Sequence, residues 1–493
     1  MRAWPLSIRN AISGLKAEIF KRRTAGANWL SVFPVPQLSP ESAATLQKIF
    51  QTSGFTASSE GDSPDENPAL TTLKRLFVRA DVVTVDEAAR VLSPLKLDEL
   101  ILSGLLHQDG NLVQSMLQAK SYQGLIFFSD FRYHEHAEDW VLPVGPSGIH
   151  LAEITIRRPV QSALDLGCGC GLQTLLTAQH CTQVTATDIN PRALAMTRLN
   201  ADLNGVSNIE LLEGSYLEPV QGRSFDLILA NLPYVISPEK KLMYRNSQGD
   251  AYLHQLIREI PAYLTDGGYA QLISNWVHGK DDPWWGPLET TLEELGMDAW
   301  LIHNDSLDSD KYADWWLSHD SQLKKDKRNY AKTRKAWLHW LLEQGIERIA
   351  LGDITLRRRP SEQNWVCSAT VTKSLLESPA GEQLVRLFET HDFLAGLPDN
   401  EAILETVLIP LDMDIQSGKD ERGLQAVTTR GLNFQAGLSP YTAEVIRELD
   451  GSTRLREAIQ KADQGVDDDS TFLLDIHTLL GLGMLVKSPS RGN

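Results

Sequence analysis

The sequence predicts an α/β protein in which a Rossmann-like domain of seven strands is flanked by winged-helix-like α+β domains. Three observations support this fold class. Strand-like and helix-like patterns alternate between residues 138 and 360, which is typical of a largely parallel sheet with helices on both faces. A glycine-rich stretch, residues 163–171, follows an apolar strand and precedes a helical pattern. The flanking regions place helices before a hairpin or a short strand.

The chain length supports several domains. With 493 residues, the chain is too long for one hydrophobic core of ordinary size. Changes of pattern divide it into an N-terminal helical, winged-helix-like domain (1–137), a central α/β domain (138–360) and a C-terminal winged-helix-like domain (361–493). A polar, acidic stretch at residues 56–72 is predicted to be a loop or linker.

The winged-helix interpretation comes from the order of the elements in the two flanks. Residues 84–116 show a helix, a turn at Ser93-Pro94, a second helix and a hairpin, and residues 442–489 show three helices and a short strand. The second helix of the first flank places Asp98 and Glu99 beside a single lysine. A helix that enters the major groove normally offers more basic and amide side chains, so we expect packing or protein docking through these domains.

Composition and charge limit the function classes. The net charge of −17 argues against a protein whose affinity depends mainly on phosphate contacts, and the basic stretches 324–335 and 357–359 are interpreted as solvated faces. Cys168 and Cys170 alternate with glycines in a tight loop and have no C-x-x-C spacing and no nearby histidine partner, which indicates free thiols and no metal site. No apolar run is long enough to span a bilayer. Residues 1–23 are predicted to form a first helix and not a signal peptide, so a cytoplasmic location is expected.

The central domain is predicted to contain seven strands. They are Ala163–Gly167, Gln183–Asp188, Ile209–Glu213, Phe225–Asn231, Tyr269–Trp276, Ala299–His303 and Arg348–Arg357. Two aromatic-rich helical patterns lie between the last two strands, and core packing is expected for most of their tryptophans, Trp315, Trp316, Trp337 and Trp340.

The glycine-rich stretch "ALDLGCGCG" is the first candidate site. Glycine allows positive φ and a close approach of a ligand to the backbone, and the following helix offers free N–H groups. Asp188 ends the next strand, 21 residues after Gly167, where a carboxylate can accept hydrogen bonds from a ribose diol. The spacing G-x-G-x-G, with an acid two residues before it, differs from the dinucleotide pattern G-x-G-x-x-G. It resembles motif I of class I S-adenosyl-L-methionine-dependent methyltransferases.

This resemblance implies S-adenosyl-L-methionine as the cofactor and assigns a set of binding residues. The acid of the loop suits the cationic methionine end, Asp188 the ribose, and the residues after the second and third strands the adenine. Gly214-Ser215 has a hydroxyl where many relatives carry an acid. The candidate cofactor-binding residues are Asp165, Gly167, Cys168, Gly169, Gly171, Asp188, Ile189, Gly214, Ser215 and Asn231, and Pro146 and Ser147 are further candidates in a loop, residues 142–153, expected over the cofactor.

The helix after Asp188 has clear end signals. Asn190 is predicted to cap it, Pro191 to occupy its first position and Gly205 to follow its end. Ala195, Leu199 and Leu203 recur at helical spacing and are predicted to form its core face.

The fourth strand ends in "NLPY", and these four residues, Asn231, Leu232, Pro233 and Tyr234, are the candidate catalytic residues. Methylation of an amide or exocyclic amine requires that a weak, planar nitrogen nucleophile face the sulfonium methyl group. The Asn231 side-chain oxygen and the Leu232 carbonyl can each accept one N–H of that group, and Tyr234 can stack on it. Alignment of the nitrogen lone pair then lowers the barrier without a strong base.

Residues 163–239 resemble the small methyltransferase domain of the release-factor glutamine N5-methyltransferase group. The wider chain resembles bacterial methyltransferases that add N- and C-terminal domains to it. These resemblances imply a protein substrate, with glutamine as the acceptor. Leu232 stands where that group usually has proline, and Asn-Leu-Pro-Tyr is similar to ribosomal RNA adenine dimethyltransferases. Methylation of an RNA or DNA base is therefore the alternative, and a non-catalytic regulator that binds the cofactor is a third hypothesis.

Overall fold

The structure is a computed structural model. It describes residues 33–57, 67–135, 137–239, 245–247, 249–320, 323–361, 364–371, 376, 378–399, 401–418, 423–462 and 471–488. The predicted first helix, residues 1–23, and the middle of the predicted linker lie outside the described residues. Within the described part of the chain, no helix combines the length and the apolar character needed to cross a membrane.

The helices and strands are numbered in chain order. The helices are α1 (Pro40–Thr52), α2 (Pro68–Phe77), α3 (Val85–Leu92), α4 (Leu97–Leu102), α5 (Pro146–Ile154), α6 (Leu172–Thr177), α7 (Pro191–Asn204), α8 (Ala251–Glu259), α9 (Gly286–Leu295), α10 (Ser309–Leu317), α11 (Lys327–Glu343), α12 (Gly381–Ala395), α13 (Pro440–Arg447), α14 (Leu455–Ala462) and α15 (Phe472–Gly481). The strands are β1 (Val83–Thr84), β2 (Leu106–Asp109), β3 (Leu112–Ser115), β4 (Gln118–Tyr122), β5 (Leu125–Ser129), β6 (Val160–Leu166), β7 (Cys181–Asp188), β8 (Ile209–Glu213), β9 (Phe225–Ala230), β10 (Val235–Ile236), β11 (Arg245–Asn246), β12 (Leu264–His278), β13 (Asp298–Asp308), β14 (Arg348–Arg357), β15 (Val366–Thr370), β16 (Leu408–Pro410), β17 (Met413–Ser417), β18 (Leu424–Thr428), β19 (Gln435–Leu438) and β20 (Leu485–Lys487).

The chain folds as two compact units. The first comprises the described residues of Met1–Gly148, Val160–Arg223 and Glu239–Arg245. It contains three parallel strands in the order β6-β7-β8, with Leu164 opposite Thr185 in the first ladder. The small antiparallel sheet β1-β3-β2 and the hairpin β4-β5 belong to the same unit.

The second unit comprises the described residues of Ile149–Pro159, Ser224–Pro238 and Asn246–Asn493. Its large sheet has the strand order β9-β12-β14-β13-β15. The ladders β9·β12 and β13·β15 are parallel, whereas β14 is antiparallel to both of its neighbours. The C-terminal part adds the antiparallel sheet β17-β18-β19 and the pair β16-β20.

The α/β fold class and all seven predicted strands are confirmed. An eighth strand, β15, was not predicted, and it pairs in parallel with β13. It is short and half-buried along most of its length, so it has neither the apolar run nor the alternation that marks a strand. It lies beyond residue 360, and the three domain boundaries stay a prediction.

Both flanks show the predicted order of elements. In the first, α3 and α4 precede the hairpin β2-β3, whose turn is Gly110-Asn111, and in the last, α13, α14 and α15 precede β20. The winged-helix interpretation stays a prediction. The charged residues of α4 are partly exposed acids, so the charge pattern that argued against DNA reading is present at the surface.

Helix α7 begins and ends as predicted, but its predicted core face is partly wrong. The Asn190 side chain accepts a hydrogen bond from the Arg192 N–H, and Gly205 adopts the left-handed conformation after the last turn. Leu199 and Leu203 are buried, whereas Ala195 is exposed. Steps of four residues drift away from one face of a helix with 3.6 residues per turn, and the buried stripe instead passes through Met196.

Two asparagines of α7 hold the edge of β5. The Asn200 amide accepts from the Phe128 N–H at 2.7 Å and donates to the Phe128 carbonyl at 2.8 Å. Asn204, one turn later, pairs in the same way with Ile126. Asn200 also donates to the Cys170 carbonyl at 2.8 Å. Side-chain amides thus satisfy backbone groups of β5 and connect this strand directly to the glycine-rich loop.

Candidate active site

The glycine-rich loop has the backbone geometry that its sequence predicts. Gly167, Gly169 and Gly171 have φ of 73°, 55° and 83°, values that favour glycine. Gly171 is the N-cap of α6, and a Cβ at this position would lie 2.9 Å from the Thr197 methyl group. The loop is anchored on β7, because Gly167 and Cys168 both donate to the Thr187 carbonyl. A side chain in place of these glycines would close or deform the loop.

Two buried carboxylates flank this loop. Asp165 accepts a hydrogen bond from Thr174 Oγ1 at 2.5 Å, and Asp188 accepts from the Gly169 N–H at 2.9 Å and from the Asn190 N–H at 2.8 Å. Burial, together with the negative charge of Asp188, raises the pKa of Asp165 to about 6 despite the Thr174 hydrogen bonds. Burial also raises the pKa of Asp188, against its backbone hydrogen bonds. A cation or a hydrogen-bond donor close to either carboxylate would stabilise its ionised form.

The residues predicted near the adenine form a partly exposed apolar rim. Ile189 is 62% exposed although it follows a buried strand, and Tyr216 is 45% exposed with φ of 47°. Gly214 donates to the Asp188 carbonyl, and a Cβ on it would lie 2.4 Å from Pro219. Ser215 is half-buried. Exposed apolar side chains at the end of buried strands suit a flat aromatic ligand, and Tyr216 is a residue that sequence reasoning missed. We call residues 163–171, 188–190 and 214–216 the cofactor region.

The cysteines of the loop are inert. Cys168 and Cys170 are buried free thiols. Burial raises the pKa of Cys168 well above its usual value and that of Cys170 to about 12, so neither forms a thiolate at neutral pH. The described residues contain no cluster of histidine, cysteine and carboxylate side chains that could hold a metal ion.

The segment expected to cover the cofactor is mostly helical. Residues 142–145 form a loop, but Pro146 and Ser147 belong to the first turn of α5. Proline suits that position because its fixed φ matches a helix and its missing N–H would have no helical partner there. The Gln173 amide donates to the Gly148 carbonyl at 2.7 Å, so this turn is held by the helix that follows the glycine-rich loop.

The NLPY residues lie in the second unit, directly after β9. Leu232 is buried, and Asn231, Pro233 and Tyr234 are half-buried. The Tyr234 ring contacts the Trp316 ring edge-on at a centroid distance of 6.1 Å. Partial exposure at the end of a buried strand leaves these groups able to contact a ligand.

A buried tyrosine organises the residues that follow. The Tyr312 hydroxyl accepts hydrogen bonds from the Ile236 N–H and from the Asn275 amide, each at 2.9 Å. Tyr312 is fully buried, and burial raises the pKa of its hydroxyl well above the usual range. Its ring contacts Trp316 at 6.2 Å. We call residues 231–236 with Asn275, Tyr312 and Trp316 the acceptor region.

The tryptophans and basic stretches have different surroundings from one another. The expectation of core packing for most of the tryptophans is wrong, because only Trp337 is fully buried. Trp315 is 54% exposed, Trp340 is half-buried and Trp316 is half-buried beside Tyr234, since these helices lie at the surface. In the stretch 357–359, Arg357 makes bidentate contacts with the acids Asp298 and Asp392, and the other two arginines also pair with carboxylates. Arg334 pairs with two acids of α10. These arginines serve structural ion pairs, and Arg357 is buried, so the solvated-face interpretation is wrong for Arg357. The lysines of the stretch 324–335 are exposed, as that interpretation predicts.

Comparison with known families identifies the central domain. Residues 149–293 match the family model described as the methyltransferase small domain. The chain carries a methyltransferase small domain of the class I type. The family implies S-adenosyl-L-methionine as the cofactor. The residues present fit S-adenosyl-L-methionine. Two buried carboxylates, a loop whose three glycines have positive φ and an exposed apolar rim suit a cation, a diol and an adenine.

The relatives of the methyltransferase small domain include glutamine methyltransferases. A release factor glutamine methyltransferase of Yersinia pestis is 35% identical over 127 residues, which are 23% of this chain and 46% of that protein. A Methanocaldococcus jannaschii protein provisionally named as a protein N5-glutamine methyltransferase is 33% identical over 131 residues, which are 25% of this chain and 66% of that protein. The chain thus spans about half to two thirds of the length of these curated relatives.

The chain is also similar to solved structures of low sequence identity. The crystal structure of wild-type Trm5b from Pyrococcus abyssi is 17% identical, with a TM-score of 0.30, and the match covers 51% of this chain and 62% of that one. A likeness at this TM-score carries no argument about the function of the methyltransferase small domain.

Proposed function

We propose that this chain is an S-adenosyl-L-methionine-dependent N-methyltransferase whose acceptor is the side-chain amide of a protein glutamine. The observation that carries this proposal is the acceptor region. Asn231 and the Leu232 backbone lie directly after β9, and the aromatic pair Tyr234 and Trp316 lies beside them. The names of the relatives support a glutamine acceptor.

In this proposal the cofactor region binds and orients S-adenosyl-L-methionine. When bound, S-adenosyl-L-methionine supplies an electrophilic methyl group on a sulfonium. The Asp165 carboxylate attracts the ammonium of the methionine end, and this attraction favours its ionised form at neutral pH. Asp188 accepts the ribose hydroxyls. Ile189 and Tyr216 both have exposed apolar surface. This surface packs against the adenine in the proposal and excludes water from it.

In this proposal the acceptor region aligns the nucleophile. The Asn231 side-chain oxygen and the Leu232 carbonyl each accept one N–H of the glutamine amide, which fixes its plane. With the cofactor bound, the aligned nitrogen would take the methyl group, and the electron pair of the broken C–S bond would stay on sulfur. Positive charge develops on the nitrogen, and the two acceptor oxygens stabilise it. The nitrogen then loses a proton to solvent. Tyr312 keeps the backbone after the tetrad in position by holding the Ile236 N–H.

Methylation of an RNA base is the second candidate, because Leu232 makes the tetrad similar to RNA adenine dimethyltransferases. Against it stands the net charge of −17, since affinity for a polyanion depends on cations that contact its phosphates. Arg334, Arg357 and Arg359 pair with acids, whereas the lysines of 324–335 are exposed. The non-catalytic regulator is a third hypothesis, and it predicts cofactor binding without transfer.

Labelling of a cell lysate distinguishes the three hypotheses. The purified full chain is incubated with lysate and tritiated S-adenosyl-L-methionine, and the product is divided for protease and RNase treatment. We expect protease-sensitive, RNase-resistant label. RNase-sensitive label would favour the RNA alternative. Cofactor binding by isothermal titration without labelled protein, RNA or small molecule would favour the regulator.

A further inference from the structure

A second polar cluster lies in the unit that contains the acceptor region, and the reaction described above does not use it. His150 of α5 contacts Asp353 of β14, with Nε2 and Oδ2 at 2.8 Å. The Asn304 amide, at the bulge of β13, lies 3.4 Å from the same carboxylate oxygen. Asp353 is 1% exposed. Burial of a carboxylate in the middle of a sheet destabilises the protein unless partners compensate its charge and satisfy both of its oxygens.

The strand register places Asp353 level with the NLPY tetrad. Ala230 lies opposite Leu272 in the ladder β9·β12, and Ile273, the next residue, lies opposite Asp353 in the ladder β12·β14. Asn231 follows Ala230 directly, so it is level with Ile273 and Asp353 across adjacent strands. Two strand spacings separate them, about 10 Å. A glutamine with its side-chain amide at Asn231 has its own backbone within this span.

The side chain of Ile273 lies between these two positions on the same face of the sheet. Gln271, Ile273 and Asn275 point to one face of β12 because side chains alternate along a strand. Gln271 is buried against the end of α5, where it bonds Ile154 O and Ile156 N, and Asn275 is buried against Tyr312. Ile273 between them is only half-buried. This face of β12 is therefore less covered at Ile273 than at the two residues on either side of it.

Two acceptor oxygens in the cluster are unmatched. No described group donates to Asp353 Oδ1 or to Asn304 Oδ1, although both atoms are buried. Acceptors that have lost water and gained no donor destabilise the protein, and a ligand with N–H donors removes that penalty.

The charge of the pair selects the kind of donor. Burial lowers the pKa of His150, but the adjacent Asp353 charge and hydrogen bond outweigh burial and raise it above the usual value. When the imidazole is protonated, its charge cancels that of the carboxylate 2.8 Å away. What remains is hydrogen-bond acceptance without net charge, which suits neutral peptide N–H groups better than a cation.

We propose that His150, Asp353 and Asn304 form a subsite that receives backbone N–H groups of the peptide carrying the acceptor glutamine, level with Asn231. The subsite rests on the proposed function for the identity of its ligand. His150 is a positioning residue in it, and the Asp353 carboxylate and the Asn304 side-chain oxygen contact the peptide. The cluster thereby adds peptide recognition to a clamp that alone reads only a planar NH2 group.

Imidazole nitrogen NMR tests the subsite without requiring transfer. The probe is N-acetyl-glutamine N-methylamide, added to 15N-histidine-labelled full chain with S-adenosylhomocysteine, and His150→Gln assigns the signal. We expect the probe to shift the His150 signal saturably and adenosine to leave it unchanged. A signal that does not respond to the glutamine probe, or that responds to adenosine instead, would overturn the inference. If the probe shifts the signal but the enzyme labels no protein, the proposed function fails and the subsite stands.

Variants separate positioning from structure. Asp353→Asn removes the charge and one acceptor, and we expect the probe dissociation constant to rise at least about tenfold, with cofactor affinity unchanged and a lower melting temperature, because His150 loses its charged partner. Ser274→Ala is the matched control, since Ser274 is equally buried in β12 but on the opposite face, and we expect the wild-type probe affinity. If Asp353→Asn does not fold, Asn304→Leu removes the second acceptor and should weaken the probe. Wild-type probe affinity in whichever variant folds contradicts the proposal.

Discussion

The hydrogen bonds inside the cofactor region join residues that are close in the sequence, whereas those inside the acceptor region join residues that are far apart. In the cofactor region, Asp165 bonds a residue 9 positions away, and Asp188 bonds backbone groups 19 and 2 positions away. In the acceptor region, Tyr312 reaches Ile236 and Asn275 across 76 and 37 positions. The first region is a local motif that carries its own geometry, whereas the second depends on an inserted helix, α10, to hold its backbone.

This difference predicts that damage to the two regions separates cleanly in kinetics. Variants in the cofactor region should weaken S-adenosyl-L-methionine binding, and variants in the acceptor region should lower transfer with cofactor affinity intact. Four substitutions test that separation. They are ordered by the expected fold-change in kcat or in the cofactor dissociation constant, from the largest to the smallest.

Asn231→Ala should reduce kcat by about 100- to 1,000-fold, because it removes an acceptor that aligns the nitrogen and stabilises its developing charge. Tritium transfer at saturating cofactor measures the loss, and isothermal titration should give an unchanged cofactor dissociation constant. Asn208→Ala is the matched control, since the Asn208 amide only holds the Ala178 and Cys181 carbonyls. A collapse of cofactor binding in Asn231→Ala would show that the two regions are not separable.

Asp188→Asn should raise the dissociation constant for S-adenosyl-L-methionine by about 10- to 100-fold, since a charged acceptor for the ribose becomes neutral. The amide oxygen can still accept the Gly169 N–H, but the Asn190 N–H loses its acceptor, so we also expect a lower melting temperature. At saturating cofactor, kcat should stay within a few fold of wild type. Calorimetry and transfer measured at increasing cofactor concentration check this, and a low kcat at saturation would contradict a purely cofactor-side role.

Tyr312→Phe should lower kcat by about tenfold, because the Ile236 N–H and the Asn275 amide lose their shared acceptor in a buried place. Cofactor affinity should not change. Thermal unfolding should show a lower melting temperature as well, and Tyr330→Phe, whose hydroxyl bonds Asp314 away from the tetrad, is the control. Wild-type kcat in Tyr312→Phe would contradict the claim that α10 holds the backbone of the acceptor region in position.

Asp165→Asn should have the smallest effect on transfer and a pH-dependent effect on stability. The pKa of Asp165 is raised to about 6, so its ionisation destabilises the folded state without cofactor. This penalty is full above pH 6 and disappears near the unfolded pKa of about 4. The variant should therefore be more stable than wild type at pH 7.5, by at most about 3 kcal/mol, and the difference should shrink as the pH falls. Denaturant unfolding at several pH values checks this, and a variant less stable at pH 7.5 would contradict it.

The same contrast explains what the sequence could and could not predict. Local spacing along the chain predicts the roles of Gly171, Asp188 and Asn190, because glycine, capping and strand-end signals act within one turn or loop. Tyr312 and Asp353 give no such signal. Each is an ordinary residue of a helix or strand until the sheet brings β12, β14 and α10 together, and a single sequence does not contain that pairing.

Errors in the fold predictions have a similar origin. Ala195 was placed in the core of α7 because it continued a step of four residues, whereas the actual buried stripe includes Asn200 and serves the edge of β5. β15 was missed because pairing with β13, and not its own apolar pattern, makes it a strand. In both cases the deciding partner is distant in the sequence.

One measurement tests the central claim most directly, namely that a methyl group is transferred to an amide nitrogen of a protein. Protein labelled by the full chain with tritiated S-adenosyl-L-methionine is purified free of RNA and hydrolysed in strong acid, and volatile base is collected. N-methylated glutamine must release tritiated methylamine, because hydrolysis breaks its amide bond. We predict that most of the label is recovered as methylamine, and that Asn231→Ala yields none. Label that stays non-volatile on another amino acid, or that is removed by RNase before hydrolysis, would contradict the account.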